Sequence, residues 1–147
     1  MPSENAPVPA RASNEDRRFA RRFESGGMEP ADFDHRAHLR LAYVRLCEAP
    51  SPAAARERMR ASIRGFLARH SVDPAKYHET LTTAWMDAVR RFVAKAGAPG
   101  SFEALLEADD RLLDKDIMLT HYTRERLFSE RARTVHVAPD LGTIPVG

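Results

Sequence analysis

A single cysteine, Cys47, is all that the 147-residue chain contains, so no internal disulfide can close and no Cys-x-x-Cys pair exists to hold a metal or cycle electrons. No apolar stretch approaches the roughly 18 residues of a membrane helix. The opening MPSENAPVPARAS lacks the apolar centre of a secretory signal. The expectation is a cytoplasmic protein with no membrane partner. Charge of one sign is lacking too: 23 Lys and Arg against 21 Asp and Glu leave a net charge of +2. That is too little for the broad positive field on which nucleic acid binding depends. A phosphate-cradling glycine loop, H-E-x-x-H and G-x-S-x-G are absent, and so is the Glu-x-x-His pair of ferritin-like di-iron bundles. Di-iron oxygen chemistry is thereby disfavoured.

What is present is helical material. Ala, Leu and Arg dominate over β-branched residues, and 43% of the chain is hydrophobic, enough for one core of ordinary domain size. Pro2, Pro7 and Pro9 among small polar neighbours mark residues 1–12 as a disordered lead, leaving 13–147 as a single helical domain. Ser13 with Asp16 three residues later starts a short helix whose stripe is Phe19, Ala20 and Phe23, ended by Gly26-Gly27. Its arginines, Arg17, Arg18, Arg21 and Arg22, read as a solvated face. A second helix is expected from Asp34 to Cys47, a third from Ser51-Pro52 to His70, and a fourth from Pro74 to Ala96, stopped by Gly97 and Pro99. Ser101 caps a shorter one, and Thr123 and Ser129 cap helical turns. The end, VHVAPDLGTIPVG, reads as an extended tail across the bundle. The fold expected is an all-α bundle of five to six helices with a disordered N-terminus and an irregular C-terminal tail.

The stretch FDHRAHL puts His35 and His38 three residues apart, neighbours on one helical face. Phasing at 3.6 residues per turn turns both inward or nearly so. His78 falls on the apolar face of the fourth helix, one turn before Leu81, with Glu79 at its border. An inward imidazole left without a polar partner costs roughly 1 to 3 kcal/mol, and shared coordination would satisfy three at once. His35, His38 and His78 are therefore candidate metal ligands. Glu79 is a candidate fourth ligand or base, and His121 a ligand or acid from a later segment. Zinc in such a site suits hydrolase or lyase chemistry, and ferrous iron with open positions suits oxygen chemistry. The leading expectation is a metal-dependent enzyme acting on a small polar or anionic molecule, with Arg36 or Arg124 available to hold a carboxylate. The alternative is a helical binding or scaffold module whose histidines are structural; a homodimer is left open. Cys47, with no base nearby in sequence, is not expected to be a nucleophile.

Three blocks recur together: F-x-H-x-x-H-L from Phe33, Y-H-E-T from Tyr77, and Y-T-x-E-x-L-x-S-x-x-A-R from Tyr122, followed by Pro139-Asp140-Leu141. In these the chain resembles a group of small uncharacterised bacterial all-helical proteins. The resemblance runs from Phe33 to Pro145 and implies only that the blocks belong to one unit.

Overall fold

Ser13, Asp34, Ser51 and Ser101 each accept, through the side chain, the backbone N–H three residues on, and each opens a helix. In the computed structural model, which describes residues 7–142, these are α1 (Asn14–Glu24), α2 (His35–Glu48), α3 (Pro52–Arg69) and α5 (Phe102–Ala108). Between the last two lies α4 (Glu79–Ala96), and two short helices follow, α6 (Arg124–Leu127) and α7 (Glu130–Thr134). Thr123 and Ser129 cap the short pair as expected. Short 3-10 segments lie in some of the joints, and there is no strand among the described residues, so the fold is the all-α bundle anticipated from composition. No described helix is long and apolar enough to cross a membrane.

The bundle is organised around α2. Leu39, Leu41, Ala42, Tyr43, Val44 and Leu46 are all buried, so this helix is apolar on nearly every side and not along one stripe. Such a helix has to be surrounded, and α2 packs against α1, α3, α4 and α5. Phe23 of α1 stacks on Phe66 of α3 at 4.7 Å between ring centroids, and Phe33 leans on both. This aromatic knot ends at His38, whose ring lies 5.8 Å from that of Phe33.

Two expectations change in the structure. Of the lead expected to be disordered, residues 1–6 lie outside the described residues, but residues 7–12 pack down: Val8 and Ala12 are buried. The Arg11 carbonyl accepts the Tyr43 hydroxyl at 2.6 Å, and its N–H donates to the Pro99 carbonyl. The fourth helix, read as continuous from Pro74, is broken. Pro74–Lys76 form one 3-10 turn, Tyr77 and His78 are extended, and α4 starts only at Glu79. His78 is consequently the cap of that helix and not a member of its apolar face.

The C-terminal segment is a wrap, as anticipated. The Tyr122 hydroxyl donates to the Val137 carbonyl at 2.7 Å, and Thr80 bridges Val135 and Val137. Asp140 accepts both the N–H and the hydroxyl of Thr123. The last residues of the expected tail, 143–147, lie outside the described residues.

Candidate functional site

Where the N-terminal turn of α2 meets α4 and the segment from Lys115 to Phe128, the packing leaves a cavity of about 450 Å³. That volume falls within the range of small-molecule sites. His35 and His38 form part of its wall. Trp85 and Leu81 of α4 face them, and Met118, Leu127 and Phe128 add apolar surface. Four charged residues, Asp34, Lys115, Asp116 and Arg124, also line it and are exposed. The interior is therefore apolar, broken by two imidazoles.

The two differ in what holds them. The His35 ring packs edge-on against Trp85 at 4.5 Å, and its Nε2–H donates to the Leu112 carbonyl at 2.9 Å. That bond fixes the tautomer, leaving Nδ1 as an acceptor. Burial lowers its pKa, partly offset by the Leu112 carbonyl. His38 is half-buried, and its ring makes no hydrogen bond to any described residue. Burial, and next the adjacent His35, push it down to about 4, so it is neutral at physiological pH. A neutral, unpartnered imidazole on an apolar cavity wall is a polar contact in waiting.

The other candidates go elsewhere. His78 has both ring nitrogens committed: Nδ1 accepts the Leu81 N–H at 3.1 Å, capping α4, and Nε2–H donates to the Leu127 carbonyl at 2.9 Å. No lone pair is left for a metal ion. Among the described residues there is no group of three His, Cys, Asp or Glu arranged to hold one, so His35 and His38 are not joined by His78. Glu79 is clamped by Arg60 through both oxygens, at 2.9 and 2.6 Å, and also accepts the Tyr77 hydroxyl at 2.6 Å. Arg60 holds its carboxyl below the usual range, which makes it a fixed anion and a poor base. His121 sits by the tail, its carbonyl accepting the Leu141 N–H, and it does not line the cavity. Arg36 pairs with Glu103, whereas Arg124 does reach the cavity. Burial pushes the Cys47 thiol up to about 12, which keeps it inert.

Compared with protein-family models, curated proteins and solved structures, the chain matches none. The site therefore has to be read from its own chemistry. Trp85, Met118 and Phe128 line the cavity, and none of them carries a site signal in the sequence. Phe128 proves 49% exposed beside the cavity.

The geometry of His78 makes a prediction of its own. Replacing it by Ala removes a helix cap and the tie to Leu127, with an expected loss of about 1 to 3 kcal/mol in chemical denaturation. The His35 and His38 wall should remain intact. A variant as stable as the parent would show that the two hydrogen bonds contribute nothing.

Proposed function

We propose that the protein binds a small, largely apolar molecule bearing one hydrogen-bonding group, and that His38 is the contact for that group. The observation carrying this reading is a neutral imidazole, without a hydrogen-bond partner among the described residues, on the wall of an apolar cavity of about 450 Å³. The mainly apolar lining shifts the expected ligand from a polar or anionic molecule to an amphipathic one. Lys115 and Arg124 are offset by Asp34 and Asp116, so the exposed charges set no net preference for an anion.

Trp85, the only tryptophan, touches both the cavity and His35, so its emission reports occupancy directly. Titration with single-ring phenols and benzyl alcohols is expected to give a saturable change in that emission. His38→Leu should weaken binding by about tenfold, the effect of one lost hydrogen bond to a desolvated polar group. A panel of such probes that gives no saturable change, or an His38→Leu variant binding equally well, would sink the proposal.

A metal-dependent hydrolase or lyase is the second reading. It is favoured by one observation: His35 and His38 share a wall in the neutral form that binds metal ions. Zinc or iron held by two imidazoles needs its remaining ligands from solvent or substrate, and bound there it would supply a Lewis acid. Elemental analysis after metal-replete expression separates the two readings. Near-stoichiometric metal, lost in His35→Ala and His38→Ala but kept in His78→Ala, supports the second. Its absence leaves the first.

A further inference from the structure

His35 and His38 stand three residues apart in the first turn of α2, a spacing that sets two side chains next to each other on one helical face. Both line the cavity, and His35 is close enough to help keep the proton off His38. Their ring nitrogens are in complementary states. On His35, Nε2–H is spent on the Leu112 carbonyl at 2.9 Å, so Nδ1 carries no proton and can only accept. The edge contact with Trp85, at 4.5 Å between centroids, holds the ring in that orientation. On His38 neither nitrogen is hydrogen-bonded to a described residue, and a neutral imidazole carries one N–H and one lone pair. Among the described residues, the buried polar atoms left without a partner do not include the free nitrogens of His35 and His38. Those nitrogens therefore keep contact with solvent, and the space that the two rings share is the cavity.

The wall thus offers one acceptor fixed in place and, beside it, one donor, in an interior that is otherwise apolar. A ligand group that satisfies both has to donate to His35 and accept from His38. A hydroxyl does both. A ketone or an ether accepts from His38 and leaves the His35 acceptor unpaired. A carboxylate has the same fault and brings a charge among apolar side chains. An ammonium donates to His35 but offers nothing to the His38 N–H, and it brings a charge as well. Sites built to hydrogen-bond a hydroxyl reject the analogue that lacks it more strongly than an apolar pocket rejects a missing methylene.

We propose that the polar group of the ligand is a hydroxyl bridged between His35 Nδ1 and the His38 N–H, so that the cavity selects an alcohol or phenol over a ketone, ether or carboxylate of the same skeleton. This rests on the amphipathic-ligand reading above and adds the identity of the polar group. His35 is the residue that sets the preference, and the Leu112 carbonyl is what sets His35.

The test uses α-methylbenzyl alcohol, acetophenone and ethylbenzene, which share one carbon skeleton. Each is titrated into the full-length protein and followed by the indole N–H resonance of Trp85, a single signal because the chain has one tryptophan. The alcohol is expected to bind about tenfold or more tightly than acetophenone, and acetophenone more tightly than ethylbenzene. His35→Gln keeps an amide N–H for the Leu112 carbonyl and deletes the Nδ1 acceptor. It should bring the alcohol down to the level of acetophenone and leave acetophenone within about twofold of its parental affinity. His38→Leu, by contrast, should weaken both, because both accept from it. A His35 that served only the packing would move the two probes together. Acetophenone binding as tightly as the alcohol, with both ahead of ethylbenzene, overturns the hydroxyl assignment and leaves His38 as a polar contact. A folded His35→Gln variant that keeps the parental preference overturns it too. Ethylbenzene binding as tightly as the alcohol, or no saturable shift with any probe, overturns this inference together with the reading on which it rests.

Discussion

Between pH 6.5 and about 4 the protein is expected to lose on the order of 3 kcal/mol of stability through His38 alone. In the unfolded chain this imidazole takes up a proton near its ordinary value of 6.5, whereas in the folded chain it resists until about 4. Throughout that window the unfolded state binds more protons, so acid favours unfolding. The contribution is fully present above pH 6.5 and is lost as pH falls towards 4. His35 and His78 are lowered by burial too, and add to the slope in the same direction. Carboxylates whose values are lowered, such as Glu79, act later, their stabilisation fading as pH drops through and below 4.5.

His38→Leu separates the histidine from the rest. Leucine fills similar space and places no polar atom on the apolar wall, so the variant should be at least as stable as the parent at pH 7. It should also lose most of the decline between pH 6.5 and 4.5, and keep the carboxylate-driven fall below that. Denaturant unfolding at half-unit pH intervals reads both. If His38→Leu follows the parental curve through that upper window, the imidazole is not held neutral by the fold. A side chain that destabilises the protein in mild acid, and whose removal does no harm at neutral pH, is retained for something other than packing, in line with its place on the cavity wall.

Local hydrogen bonding explains what could be read from the chain. Ser13, Ser51, Ser101, Thr123 and Ser129 cap where expected because the bond runs only to the third residue ahead. Met59, Ile63 and Phe66, spaced for one helical face, are buried along α3, with Leu67 beside them only half-buried. The break before α4 was invisible for the same reason in reverse. Its cap is an imidazole, outside the usual set, and its Nε2 bond runs to Leu127, 49 residues away. Phasing showed that His35 and His38 lie close to the core, but not that Leu112, 77 residues on, would take one and no described residue would take the other. Glu79 was legible as a polar residue on a helix border. Its partner Arg60, on another helix, was not, and that partner decides whether it is a base or a brace.

Asp16→Ala is expected to remove about 3 to 5 kcal/mol, the range for breaking a buried ion pair from one side. The residue is 1% exposed and opens α1, yet its carboxylate serves three elements. One oxygen accepts the Ser13 and Phe102 N–H groups, each at 3.0 Å, and the other accepts Arg40 Nε at 2.9 Å. Burial alone would raise its pKa, but the backbone bonds from Phe102 and Ser13, with Arg40, outweigh it and hold it below 3.8. Its stabilisation is therefore present above that value and lost as pH falls through it. Removing the side chain strands the N-terminal N–H of α5 and leaves Arg40 of α2 facing Phe19 without its counter-charge. Asp16→Asn should recover only part of the loss, because an amide keeps one acceptor oxygen and gives up the charge. Melting temperatures should fall by about 10 °C for Ala and by less for Asn. A loss below about 1 kcal/mol, the worth of a simple N-cap, would mean that the ties to α2 and α5 carry no energy.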